Sequence, residues 1–137
     1  MNIVFDIETV GVDINTLSDS QKEFLLRYTE LEKDPIKKEE LVEEAKRYLS
    51  LYPYTAKIVS IGMLNTETGK SMVLFEGSDN DEWAAEEKVI KYKPLNEEEM
   101  LKYFWKYFKK AEKIISFNGR NFDVPFLTGS LFLQFCW

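Results

Sequence analysis

Two carboxylates, Asp6 and Glu8, stand two positions apart in "VFDIETVG", at the end of an aliphatic run that opens the chain. On a strand, residues two apart project to one face, so these acids can converge on one point. Two anions about 4 Å apart repel by roughly 4 kcal/mol at an effective dielectric near 20, which calls for a cation between them. A lone D-x-E is equally compatible with solvated acids at a fraying strand end. A third acid, Asp123, lies in "SFNGRNFDVPFL" between Phe122 and Val124, where burial without a cation or donors is costly. The chain has no histidine and one cysteine, Cys136, so His and Cys-rich metal sites, a His general base and a Ser-His-Asp triad are excluded. Hard-cation chemistry on oxygen ligands, with Mg²⁺ or Mn²⁺, survives.

The rest of the sequence must position these acids. At 137 residues the chain fits one domain, and 45% hydrophobic with 31% charged residues sets aside disorder as its overall state. A net charge of −6 argues against holding nucleic acid by broad phosphate neutralisation, yet leaves room for a small site where bound cations supply positive charge. There is no N-terminal leader pattern and no apolar run long enough to span a bilayer, so the expected location is cytoplasmic, without membrane contact.

Residues 2–7 read as a buried strand followed by Gly11. Residues 18–52 read as a helical hairpin: Ser18 and Gln21 form a capping box, Phe24, Leu25, Tyr28 and Leu31 recur at helical spacing, and Asp34-Pro35 starts a second helix. "KIVSIGML" (57–64) and "SMVLFE" (71–76) form an antiparallel hairpin, the first central in a sheet and the second nearer an edge. In the first, Ile58 and Leu64 fall on one side and Val59, Ile61 and Met63 on the other. Residues 77–94 read as a long solvated loop with a short helical turn. Asn96 and Glu99 cap a helix whose face is Met100, Leu101, Phe104, Trp105, Phe108 and Ala111, and 113–118 is a buried strand ending at Gly119. This order gives an α/β domain with a mixed sheet. If the first and last strands are parallel neighbours, their carboxyl ends lie side by side at the usual ligand site of such sheets, and Asp123 joins Asp6 and Glu8.

"FDIET", together with Asn118, Phe122 and Asp123 in an N-x3-F-D pattern, resembles the first two exonuclease motifs of the DEDD superfamily. With "KIVSIGM" and "SFNGRNFDVPFL", the chain from residue 2 to about 127 is most similar to stand-alone predicted exonucleases related to the family B DNA polymerase proofreading domain. The resemblance implies a ribonuclease H-like fold, here with a helical-hairpin insertion over residues 13–56, after the first strand. It also implies 3′-to-5′ exonuclease activity by two-metal phosphodiester hydrolysis, using two Mg²⁺ or Mn²⁺ ions. By the same resemblance Asp6 bridges both metals, Glu8 binds one, and Asp123 acts mainly through metal-bound water. Thr9 and Val10 would sit against the terminal nucleotide, and Asn118 and Phe122 would shape the site. The plain alternatives are a helix or turn cap for Thr9, a strand-end turn for Asn118 and core packing for Phe122. The partner implied is a nucleic-acid 3′ end, with DNA preferred over RNA.

The superfamily's third motif, with a fourth carboxylate beside a Tyr or His, is missing. After Asp123 comes "VPFLTGSLFLQFCW", without Asp, Glu, Tyr or His, and residues 128–137 form an atypical apolar tail. The domain is therefore expected to be a C-terminally incomplete, truncated form. Its exonuclease activity should be weak or absent. The alternative is a catalytically dead ribonuclease H-like binding or assembly module. Uncovered apolar surface on the tail and an unpaired sheet edge favour self-association.

Overall fold

Ile3, Phe5 and Ile7 alternate along β1 (Asn2–Gly11) and are buried, while Val4, Asp6 and Glu8 take the other face. The acids thus sit on the far side of a strand whose near side builds the core. The computed structural model describes residues 1–77, 83–85 and 89–135. Within them, six strands form one mixed sheet in the order β4-β5-β3-β2-β1-β6.

β1 pairs antiparallel with β2 (Ala56–Asn65) and parallel with β6 (Lys113–Ile115), so the first and last strands are parallel neighbours. Glu8 faces Ser60 and Thr9 faces Ile58, leaving Val59 as an extra residue in β2. Such a bulge breaks the two-residue alternation. It brings Ile58 onto the core side with Ile61 and Met63, whereas strict alternation had placed Ile58 opposite them.

β3 (Ser71–Glu76) lies between β2 and β5 (Ile90–Leu95), so it is interior and not near an edge. The loop expected over 77–94 is corrected likewise: β5 runs parallel to β3, and β4 (Trp83–Ala85) pairs antiparallel with β5. Alternation in "IKYKPL" is short and broken by Pro94, which masks the strand in the sequence. Among the described residues β4 pairs only with Ile90 to Tyr92, so Pro94 interrupts no pairing with it. No helical turn occurs among the described residues of this segment; 78–82 and 86–88 lie outside them.

Two helices cover the core face. α3 (Glu97–Phe108) begins with the reciprocal Asn96 and Glu99 capping box and buries Met100, Leu101 and Phe104. The Phe104 ring lies 5.0 Å from that of Phe5. α4 (Asp123–Phe135) adds Phe126 and Leu127, and the apolar tail continues this helix as far as Phe135. Gly129 lets α4 approach closely, since a Cβ there would stand 2.5 Å from Pro53 Cγ.

The insertion is helical as read: α1 (Asp19–Leu26) has the Ser18–Gln21 capping box, and α2 (Pro35–Leu49) has Asp34 as its cap. Its apolar spacing does not mark a buried stripe, because Phe24, Tyr28 and Leu31 are all exposed. The hairpin is anchored at the end of α2 instead. The Val12 amide donates to the Thr55 carbonyl at 2.8 Å, and a Cβ on Gly11 would lie 3.0 Å from Leu49 Cβ.

The expected buried strand 113–118 also needs correction. Only Lys113–Ile115 is strand, and all three residues are exposed. β6 pairs with β1 along one side; among the described residues nothing pairs with the other, leaving Ile115 50% and Phe117 92% exposed. Apolar composition alone does not distinguish a sheet edge from its centre. No helix of the described residues is long and apolar enough to cross a membrane.

Candidate active site at the ends of β1 and α4

The chain leaves β6 through a turn that delivers Asp123 to the start of α4. Asn118 adopts φ 55, a left-handed conformation that Asn tolerates better than most residues. Its carbonyl accepts from the amides of Asn121 at 2.9 Å and Phe122 at 3.1 Å, and its Oδ1 accepts from Asn121 Nδ2 at 2.9 Å. The Val124 amide then donates to the Gly119 carbonyl at 2.9 Å, which fixes Asp123 in the first turn of α4. Gly119 packs closely on Ser116: a Cβ would displace the Ser116 hydroxyl, while it would stand in ordinary contact, 3.6 Å, from Asp123 Oδ2.

Asp123 is 1% exposed, and among the described residues neither carboxylate oxygen has a hydrogen-bond partner. Burial raises its pKa above the ordinary value, and the nearby charge of Asp6 pushes the same way. The amides of Asp123 and Ile7 and the Ser116 hydroxyl oppose the shift, from positions outside hydrogen-bond geometry. An orphaned buried acid beside a second acid is costly unless a cation or donors complete it. The donor set is all oxygen, which fits a hard divalent cation such as Mg²⁺ or Mn²⁺.

Asp6 and Asp123 are thus brought within electrostatic reach, but Glu8 does not join them. Among the described residues no three Asp, Glu, His or Cys side chains gather as a metal-binding group. One reason is the strand's rise, which carries Glu8 about 7 Å beyond Asp6 along β1.

Of the remaining expected site residues, Thr9, Asn118 and Phe122 have structural employment and Val10 does not. Thr9 Oγ1 donates to the Ser50 carbonyl at 2.7 Å and ties β1 to the end of α2. Val10 is exposed. Asn118 makes the turn, and Phe122 packs on Phe126 with ring centroids 5.7 Å apart. An open cleft of about 730 Å³ adjoins the turn, lined in part by Tyr54, Ser116, Gly119, Arg120 and Phe132. Gly119 and Ser116 escaped sequence reasoning. The Asn118-Gly119 dipeptide signals a turn, but not that the glycine packs against Ser116 next to a buried acid.

A family model described as a predicted 3′-5′ exonuclease related to the exonuclease domain of PolB matches residues 46–134, more than half of the chain. The chain belongs to this family. The match includes Asn118, Phe122 and Asp123 and begins after β1, so Asp6 and Glu8 lie outside it. The mixed α/β sheet with its helices is consistent with the ribonuclease H-like fold of this PolB-related exonuclease family. A nucleic-acid substrate and divalent-metal dependence follow as the general character of such exonucleases. No curated protein matches the chain.

Proposed function

We propose that this chain is a metal-dependent 3′-5′ exonuclease domain that removes nucleotides from nucleic-acid 3′ ends, with DNA as the preferred substrate. The observation that carries this reading is the buried carboxylate of Asp123, without a hydrogen-bond partner among the described residues and within electrostatic reach of Asp6. Asp6 and Asp123 would hold Mg²⁺ or Mn²⁺ between them, and Glu8 would swing in from the same face of β1 as Asp6. Bound there, two such ions would activate a water for attack on the terminal phosphodiester and stabilise the leaving 3′ oxygen. The exposed Val10 would meet the terminal nucleotide beside the acids. Asn118 and Phe122 would act by fixing the turn that aims Asp123, and Thr9 by holding the end of β1 in place.

With Asp6, Glu8 and Asp123 as its only side-chain ligands, a cation would complete its shell with water, so this set by itself would hold it weakly. The Glu8 position favours a second reading, a ribonuclease H-like binding or assembly module without turnover. One experiment divides them: Mn²⁺ titration with 3′-labelled DNA and RNA oligonucleotides. Release of mononucleotides that is lost in Asp6→Ala supports the exonuclease. Mn²⁺ binding without release supports the module, and no Mn²⁺ binding refutes the site. The unpaired edge of β6, with Ile115 and Phe117 exposed, supports self-association as a further part of the proposal.

A further inference from the structure

Gly62 lies in the middle of β2, directly opposite Asp6 in an unbulged part of the antiparallel pair. A glycine weakens a strand interior, so its presence in a central strand calls for a reason. Three ordinary reasons fail. Its φ lies outside the left-handed region, so its backbone does not demand glycine. The bulge falls at Val59, past the Ile7–Ile61 and Glu8–Ser60 pairs, so Gly62 does not make it. Apart from Gly62 itself and its two chain neighbours, no atom of the described residues stands within 4 Å of the position a Cβ would take, so the chain's own packing does not exclude a side chain.

What the missing side chain leaves open is the space beside Asp6. Residues directly opposite in an antiparallel pair project to the same face with Cβ atoms about 5 Å apart. A side chain at 62 would therefore stand next to the Asp6 carboxylate, on the face away from the core. On the next strand, Val73 pairs with Gly62, so the gap is bounded by an acid on one side and an aliphatic residue on the other. Strand glycines of this kind mark places where a ligand or another backbone comes close.

We infer that Gly62 is a positioning residue that keeps this approach clear, so that the sugar–phosphate backbone of a nucleic-acid 3′ end can reach Asp6. The inference rests on the exonuclease reading of the Asp6–Asp123 site. A glycine supplies space and no hydrogen-bonding or stacking group. Clearance at Gly62 therefore serves every base alike, and the contact it permits is to the backbone.

The test compares the full chain with Gly62→Val and Gly62→Ala. Thermal melting reports the fold, Mn²⁺ binding reports the acids, and anisotropy of 5′-labelled oligo-dT and oligo-dA in Ca²⁺ reports strand binding. A branched residue suits a central strand, so Gly62→Val should melt at or above the parent temperature. It should keep Mn²⁺ affinity within about twofold and lose about tenfold in affinity for both oligonucleotides, equivalent to about 1.4 kcal/mol, with Gly62→Ala between. Parent-like oligonucleotide binding by Gly62→Val would overturn the clearance role and leave the exonuclease reading standing. A fall in its melting temperature would overturn it too, by showing that the fold needs the glycine. A loss confined to one oligonucleotide would overturn the assignment to backbone contact. If the parent chain binds neither Mn²⁺ nor oligonucleotide, the exonuclease reading falls and the clearance role falls with it.

Discussion

Replacing Asp123 by Asn removes the buried charge while keeping the shape of the side chain. In the metal-free chain this carboxylate lacks a hydrogen-bond partner among the described residues, and an unsatisfied buried polar group costs about 1–3 kcal/mol, more when charged. Against this stands its place in the first turn of α4, where a negative charge gains about 0.3–1 kcal/mol from the helix dipole. Desolvation is the larger effect, so Asp123→Asn should be more stable than the parent in EDTA by roughly 1–2 kcal/mol. For a chain of this size that is a rise of about 3–8 °C in Tm. The folded pKa of Asp123 is raised, so protonation favours the folded parent, and the variant's advantage should shrink as pH falls. Mn²⁺ should reverse the order. At a hundredfold excess over Kd a ligand stabilises the parent by about 2.7 kcal/mol, while the variant has lost a ligand and gains less. The assay is differential scanning fluorimetry at neutral pH in EDTA and in Mn²⁺. A lower Tm for Asp123→Asn in EDTA would refute the reasoning, because the carboxylate would then be supporting α4 and not waiting for a cation.

Three further outcomes are expected. Glu97 Oε1 accepts from the Ile58 amide at 2.8 Å, and burial raises its pKa, so its charged form costs stability as pH rises through the folded value. Glu97→Gln keeps an acceptor and should equal or exceed parent stability at neutral pH, with the difference closing in acid; a pH-independent difference in Tm would contradict this. Thr9→Val removes the bond to the Ser50 carbonyl and should cost about 0.5–1.5 kcal/mol, read as a lower urea midpoint with unchanged m. Sedimentation at micromolar concentration should show association that weakens in Ile115→Lys, which places a charge on the open edge of β6; a monomeric parent would count against that surface.

Local periodicity carried much of the fold into view. The β-rich apolar run "NIVFDI" and the helical spacing after Asn96 are set within a few residues, so β1 and α3 were legible, and so were the β2–β3 pairing and the two helices of the insertion. Elements whose character depends on neighbours were not. β5 is too short and too interrupted by Pro94 to announce itself, and it becomes a strand by pairing with β3. The single extra residue Val59 moves Ile58 onto the core face, which strict alternation cannot foresee. "KIISF" is apolar enough for a core, yet its place beside β1 alone leaves it exposed.

The site divides in the same way. That Asp6 and Glu8 share a face of β1 follows from the two-residue period of a strand, and that Asp123 follows a turn at Asn118-Gly119 follows from turn chemistry. Tertiary structure alone decided that Asp123 is buried without a hydrogen-bond partner among the described residues and within electrostatic reach of Asp6, that Gly119 packs on Ser116, that Glu8 stands apart, and that Gly62 lies opposite Asp6 with open space above it. The physical reason is that residue type and spacing determine which way a side chain points. What it meets there is determined by elements distant in the chain: β1 for Asp123, β2 for Asp6, and the end of α2 for Thr9.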